Sequence, residues 1–421
     1  VKKLGVSLLV LVLVVVLTGS VLAKTKIVVG AFPDADRALQ LLLDDFHALH
    51  PDIEAEIQSL GFDDHHVSIV NAIAAGAELP DVVMVEVDWI ARITTSAGFE
   101  DLLQPPYNAG QYKDQIIPFK WTQGTTTDGR LVAMPKDIAP ATVFYRKDIF
   151  EAAGLPYEVD DVQELFSTWE GFLDAARVLT RDTDGDGEAD HWMIADAGEI
   201  VQVMRRADAE GFFDENNNPI LNRPNLVRAL TLAKQIRDEG LDAKIGSWST
   251  EWYEAIKRGT TAVLMSGAWM GGHIQGWIAP DTAGLWGAVH LPENMYANYG
   301  GSFMTIPSAG KNKEAAWEFV KFATTRVESQ LHMFQSSNIF PALVAAQSDP
   351  IMDTEVEFYG GQQVYRLWIE AAEHTPGVRT NRFDTVANEL FGQAISEVLQ
   401  EGADPQTALD EANAQTKRRA R

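Results

Sequence analysis

Acids and tryptophans share several short stretches of this chain, and together they suit one kind of chemistry. Glu86, Asp88 and Trp89 directly follow the apolar run Val82-Val83-Met84-Val85, and Asp34 and Asp36 follow the run 26–30. Trp248 and Trp252 lie in Ser247-Trp248-Ser249-Thr250-Glu251-Trp252, and Trp269 stands just beyond the apolar run 261–265. A flat ring offers an apolar face and a carboxylate offers hydrogen-bond acceptors, a pairing that suits a ligand with C–H faces and a rim of hydroxyls. The chain has 11 Trp to draw on. Structural roles compete at every position. Asp88 could cap the turn that follows it, one of Asp34 and Asp36 could cap a helix, and any of the tryptophans could fill a core. Asp64 and His65 precede the next helix, where a capping or surface role competes with ligand contact. The spacing of His65-His66 does not make a metal site.

A second constellation is Asp182-Thr183-Asp184-Gly185-Asp186-Gly187-Glu188-Ala189-Asp190. Oxygen donors alternate and glycine takes the sixth place, the spacing with which a loop wraps calcium. This predicts a structural Ca²⁺ held by Asp182, Asp184, Asp186, the Glu188 carbonyl and Asp190. The pattern fails at its twelfth place, where Met193 replaces the expected glutamate, and a tight acidic turn is the alternative. No cofactor is required by any motif. A nucleophile elbow, a His-Glu-x-x-His zinc motif and a phosphate-binding glycine loop are all missing. A glycoside hydrolase with two carboxylates is the rival enzyme class. Acids are so plentiful that candidate pairs always exist, so the chain reads as a binding protein and not an enzyme.

The elements that must position these groups read as alternating strands and helices. Strands are expected at 26–30, 53–57 and 82–85, with helices at 38–50 and 67–77, the latter ended near Gly76. That order implies a parallel sheet whose ligands gather at the carboxyl ends of the strands. A second α/β region begins near Thr142. Its expected helices are 148–153, 166–179 and 226–239, with strand-like runs 192–195 and 261–265. One long amphipathic helix is expected at 311–332 and another at 384–399. A further helix at 405–415 opens on Asp404-Pro405, a cap followed by proline, and its basic tail reads as a frayed end.

Residues 1–23 read as a secretory signal. Lys2-Lys3 is followed by an almost unbroken Leu/Val run and by Val21-Leu22-Ala23, which predicts cleavage after Ala23; an uncleaved anchor is the alternative. No later segment is long and apolar enough to span a membrane. The formal net charge is −26, from 34 Lys and Arg against 60 Asp and Glu. Such a surface repels nucleic acid and anionic lipid. Cysteine is absent, so there are no disulfides and no lipid-anchor cysteine. A soluble periplasmic or extracellular monomer is expected. The 421 residues suggest two or three domains.

Several segments then match one family in order. They are Leu79-Pro80-Asp81-Val82-Val83, then Tyr145-Arg146-Lys147-Asp148-Ile149-Phe150-Glu151-Ala152-Ala153-Gly154-Leu155, Trp169-Glu170-Gly171-Phe172, Thr261 to Trp269, and Gly300-Gly301-Ser302 ahead of Lys313-Glu314-Ala315-Ala316-Trp317. The chain resembles the maltose-binding-like extracellular solute-binding proteins (family 1), the ligand-capturing subunits of carbohydrate ABC importers. The resemblance implies an α/β periplasmic-binding-protein fold, two α/β lobes with an interlobe cleft and hinge crossovers. Lobe 1 would be 24–138 plus 298–342 and lobe 2 would be 139–297 plus 343–421, with crossings near 137–142, 295–300 and 340–350. It implies that the cleft closes on a mono- or oligosaccharide for delivery to the membrane permease. It further implies ligand contact by Gly267 and Trp269 of the Gly-x-Trp segment, by Asp137 and Tyr145 at the first crossover, by Glu199 in a second-lobe loop, by Gly301 and Ser302, and by Arg382 and Phe383. The family often has an aromatic after the Gly pair, where this chain has Phe303, and a Trp near 382–383, where this chain has none. A non-sugar ligand such as a polyamine, a peptide or a glycerol phosphate is the alternative. Basic residues around the cleft would argue for phosphate, whereas the loops named here are acidic and aromatic.

Overall fold

The computed structural model describes residues 24–96 and 98–420; the expected signal segment and its Ala23 cleavage point lie outside the described residues. Eight strands are formed among the described residues: β1 (Thr25–Ala31), β2 (Ile53–Ser59), β3 (Val82–Glu86), β4 (Met134–Pro135), β5 (Ala141–Arg146), β6 (Val263–Gly267), β7 (Trp286–Val289) and β8 (Ser302–Thr305). They make two sheets, ordered β2-β1-β3-β8-β4 and β6-β5-β7.

The first sheet is only partly the expected one. β1 pairs in parallel with β2 and with β3, as the strand–helix alternation predicts. β8 then returns from far along the chain and pairs antiparallel with β3, setting Glu86 opposite Ser302. β3 reads as an unbroken apolar run because helices cover both of its faces, and Val82 through Val85 are fully buried. The second sheet is antiparallel throughout. β5 alternates across it: Val143 and Tyr145 join a core with Phe172, Leu230 and Phe391, whereas Phe144 faces the opposite way, towards Trp368 and Tyr359. That is the period-two geometry of a strand buried on both sides.

The crossings lie side by side. Asp137 bridges to Pro341 and Pro140 to Asn298. Ile138 N donates to Phe340 O at 3.0 Å and Tyr299 N to Ala139 O at 2.7 Å. Three separate stretches of chain therefore form one backbone-bonded strap between two α/β lobes.

Several element boundaries differ from expectation for local reasons. The helix expected at 311–332 is two, Lys313–Thr325 and Val327–Ser337, because Arg326 takes extended backbone (φ −100°, ψ 129°). The helix expected at 38–50 is also two, Ala35–Leu41 and Leu43–Leu49. The second-region helix starts at Trp169, not 166, where the Thr168 hydroxyl accepts from Gly171 N at 3.1 Å as a cap. The helix Phe62–Ala75 starts five residues earlier than expected and ends, as predicted, at Gly76, whose φ of +62° suits glycine. Residues 192–195 form only isolated bridges, Trp192 to Thr261 and Ile194 to Asp242. The last helix runs Pro405–Arg419, with Asp404 capping Thr407 N at 2.9 Å. Lys417, Arg418 and Arg419 lie in its last turn, where cations complement the helix dipole.

Candidate functional site

The carboxyl end of β3 opens onto a turn, Val87–Trp89, that faces the second lobe. The Glu86 carboxylate accepts from Asp88 N at 2.7 Å. Two buried histidines fix this end of the sheet, correcting the surface or capping role expected for them. His65 Nε2 donates to Met84 O at 2.8 Å, and His66 donates through Nδ1 to Phe62 O at 2.7 Å while its Nε2 accepts from Glu86 N at 3.1 Å. The His66 ring also stacks on Trp89 at 5.1 Å. Burial pushes His66 down to about 4, so it stays neutral and keeps this tautomer.

Asp88 reaches across to the second lobe. Both of its oxygens accept from Arg206 Nη2, at 2.9 and 3.1 Å. Arg206 sits on the helix Gly198–Ala207, whose Ile200, Val201 and Val203 belong to the second core. The Arg206 guanidinium lies over the Tyr299 ring at 4.2 Å. Tyr299 O in turn accepts from Trp269 Nε1 at 2.7 Å. Two further contacts span the same divide: Arg92 Nε donates to Thr385 Oγ1 at 3.2 Å, and His273 Nε2 stands 3.6 Å from Asp34 Oδ2.

On the second lobe, Glu199 occupies the first turn of its helix and not a loop. It is 8% exposed; neither carboxylate oxygen has a well-aligned hydrogen bond among the described residues, although the backbone at Met265 and Asp196 lies close enough to favour its charged form. Burial, with Asp196 adding to it, raises Glu199 to about 8. Trp269 begins a short helix directly after β6. Trp248 stacks on it with ring centroids 5.6 Å apart and planes 19° apart. Trp248 is itself 53% exposed and held at φ +67°, and His273 packs edge-on to both rings.

A buried charge network lies beneath. Lys120 Nζ donates to Gly300 O at 3.3 Å and stands over the Phe303 ring at 4.0 Å. Burial lowers Lys120 to about 8 although Asp137, Glu86 and Asp88 oppose the shift. Lys136 Nζ pairs with Asp137 Oδ2 at 2.8 Å. Withdrawal from water and Asp88 together raise Glu86 to about 8.

Several expected contact residues are placed elsewhere. Tyr145 is in the second core, its hydroxyl donating to Tyr157 O at 2.9 Å and its ring flush against Gly287. Trp252 is buried behind Trp248. Asp137 and Ser302 bind each other, Ser302 Oγ donating at 2.9 Å to both carboxylate oxygens; they fasten the strap and do not point at a ligand. Gly267 and Gly301 serve packing, not ligand approach. A Cβ on Gly267 would come within 2.5 Å of Tyr299 O and 2.7 Å of Trp269 Nε1, and one on Gly301 (φ +84°) within 2.7 Å of Asp137 O. Asp64 is exposed on the first turn of its helix, and Asp36 bonds Arg37 N locally. Arg382 lies over the Phe383 ring at 4.5 Å, which in turn meets Phe213.

A cavity of about 510 Å³ lies between the lobes. Asp88 and Trp89 line it from the first lobe, Arg205 and Arg206 from the second, and Thr385 and Asn388 from the helix Asp384–Glu401. Neither Arg382 nor Phe383 lines it, although Asp384 and Thr385 beside them do. The loops are thus not simply acidic and aromatic. Arg205, Arg206, Lys120 and Lys136 were not singled out from sequence, because no motif marks them and the overall acidity points the other way.

In the acidic turn, Asp182, Asp184 and Asp190 bring carboxylate oxygens within 4.8 Å of one another. The Asp186 carboxylate lies outside that group and accepts from Glu188 N at 2.8 Å. Both Asp182 oxygens already accept from amides, those of Gly185 and Gly187. The turn therefore holds itself together through its own backbone.

A sequence model of the family described as bacterial extracellular solute-binding protein matches residues 30–328. An arabinooligosaccharide-binding protein of Halalkalibacterium halodurans is 21% identical over 374 residues, covering 86% of this chain and 81% of that protein. A solved extracellular solute-binding protein of family 1 is 22% identical and superposes with a TM-score of 0.82 over 94% of this chain and all of that one. The ABC transporter associated binding protein from B. animalis subsp. lactis, solved with β-1,6-galactobiose, is 22% identical with a TM-score of 0.75, covering 93% of this chain and 96% of that one.

Proposed function

This chain belongs to the bacterial extracellular solute-binding protein family, and from that premise we propose that it captures a mono- or oligosaccharide between its lobes for an ABC importer. The observation that carries the reading is Glu199. A buried carboxyl group without a well-aligned hydrogen bond is costly unless something pairs with it. Hydroxyls of a sugar are suitable partners for it, and Trp269 at the end of β6, with Trp248 stacked on it, offers a ring face to receive the apolar side of a sugar. The arabinooligosaccharide-binding protein and the galactobiose-bound protein named above support the same assignment.

The cross-lobe contacts support closure on the ligand. Asp88–Arg206, Arg92–Thr385 and Asp34–His273 form only when the lobes approach, so a ligand touching both sides biases an open–closed equilibrium towards them. The closed form is then the one presented to the membrane permease. The signal-like first 23 residues support export with cleavage after Ala23, and the acidic, cysteine-free chain suits a soluble monomer outside the cytoplasm. In this scheme the protein binds and releases without chemistry. The acidic turn, with three carboxylates converging, is a candidate structural Ca²⁺ clamp away from the cleft.

A thermal-shift screen over neutral and acidic mono- and oligosaccharides, with polyamines and peptides alongside, tests the proposal. A rise in melting temperature confined to carbohydrates is expected. A rise with a polyamine or peptide and with no carbohydrate would overturn it.

A further inference from the structure

The interlobe cavity carries an unusual charge arrangement. Five arginines line it: Arg92, Arg205, Arg206, Arg223 and Arg379. Arg206 is neutralised by Asp88. Arg223 is held by Asp208 at 2.8 Å and by the carbonyls of Glu210, Gly211 and Ile220. Arg92 contacts the neutral Thr385 hydroxyl and the face of Trp89. Arg205 forms no hydrogen bond or ion pair among the described residues, and its Nε–H is buried without an acceptor. Its guanidinium rests over the Phe212 ring at 5.4 Å.

A second feature points the same way. The 18-residue helix Asp384–Glu401 begins at the cavity wall, and no side chain caps its first amides. A helix start concentrates partial positive charge, and here it faces the cavity that Arg205 lines. The acids on the wall offset this only in part. Asp88 is committed to Arg206. Asp384 is raised to about 7 by burial and accepts from Asn381 N at 2.6 Å. Glu210 and Glu389 are exposed, and Glu389 meets Arg419 at 3.4 Å.

We propose that this cavity is a subsite for the carboxylate of an acidic sugar, with Arg205 as its counter-ion, so that the ligand is a uronate-bearing oligosaccharide or a sugar acid. A planar carboxylate suits a guanidinium edge. A single negative charge also suits the wall better than a phosphate dianion, which would meet Asp384, Glu210 and Glu389 together. Thr385 and Asn388 offer polar groups for the remaining hydroxyls, and Trp89 and Phe212 offer ring faces. The inference rests on the carbohydrate reading above and narrows it to a charge class.

Calorimetric titration with matched pairs tests it: galacturonate against galactose and glucuronate against glucose, each as monomer, dimer and trimer, with the sugar 6-phosphates as a third arm. The wild-type protein should bind the uronate member of a pair at least tenfold tighter than the neutral one. Arg205→Gln should collapse that ratio by 10- to 100-fold, and Arg205→Lys should restore part of it. Both variants should stay close to the wild-type melting temperature, because Arg205 forms no hydrogen bond or ion pair among the described residues and gives up only its contact with the Phe212 ring. A uronate preference that survives Arg205→Gln overturns the role given to Arg205. A preference for the 6-phosphate overturns the carboxylate assignment. Equal binding of neutral and acidic members overturns this inference alone, whereas no binding by any carbohydrate removes the sugar reading with it.

Discussion

Glu199→Gln should make this protein more stable as the pH rises while weakening its grip on ligand. The carboxyl of Glu199 is raised from an ordinary 4.5 to about 8 by burial and by Asp196. The unfolded chain therefore releases this proton at lower pH than the folded one. Below about 4.5 both states are protonated and nothing is lost. Between about 4.5 and 8 the folded state holds a proton that the unfolded state has released, so stability falls as pH rises, and above 8 the full penalty is present. At about 1.4 kcal/mol per pKa unit, the shift corresponds to an upper bound of about 5 kcal/mol above pH 8 and to roughly half of that at pH 6.5. Glutamine keeps the shape and removes the charge. Denaturation midpoints of wild type and variant, measured in parallel from pH 4.5 to 8.5 without ligand, should coincide at the acid end and diverge in favour of the variant above it. Ligand affinity, measured above pH 8 where the carboxylate is charged, should drop by 10-fold or more, because a neutral amide then replaces a charged acceptor. A variant less stable than wild type at pH 8, or a constant offset at every pH, would refute the reasoning: the carboxylate would then have a partner in the folded protein.

Other outcomes follow from the same geometry. Trp269→Ala should weaken carbohydrate binding by about 1–3 kcal/mol in a fluorescence titration if the ring is a stacking platform, and unchanged affinity would return Trp269 to a packing role. Asp88→Asn leaves Arg206 without its counter-ion and should shift the lobes towards the open form, seen as a larger radius of gyration in small-angle scattering and a several-fold loss of apparent affinity; an unchanged scattering profile would count against closure through this pair. Gly267→Ala forces a Cβ to within 2.5 Å of Tyr299 O and should destabilise the fold by about 1–3 kcal/mol, read as a lower melting temperature. For the acidic turn, Ca²⁺ should raise the melting temperature and a chelator lower it; no response to either removes the clamp.

How much was legible in the sequence depended on whether the signal was local. β1, β2 and β3 show as apolar runs, Gly76 and Asp404 mark helix ends by their own chemistry, and the order of short segments carries the fold. The antiparallel return of β8 is not visible, because only long-range pairing sets strand direction. Arg326 broke a helix that periodicity alone would continue. Of the site groups, Glu86, Asp88 and Trp89 were found because they end a strand at the binding edge of the sheet. Tyr145 misled because a strand alternates faces, and its side happens to be the core. Gly267, Gly301 and Ser302 lie at the expected place but are engaged with the strap, which a one-dimensional pattern cannot distinguish from contact with a ligand. Arg205, Arg206 and Lys120 gave no signal at all. A basic cluster assembled from distant segments disappears in a chain of net charge −26.

The position of a bound carbohydrate in a crystal structure tests the central claim most directly. The account predicts the sugar between the lobes, with a hydroxyl within hydrogen-bond reach of Glu199, a ring face on Trp269 or Trp248, and Asp88 and Arg206 closed around it. A sugar bound outside that cleft, or one seated there with Glu199 still without a donor, would contradict it.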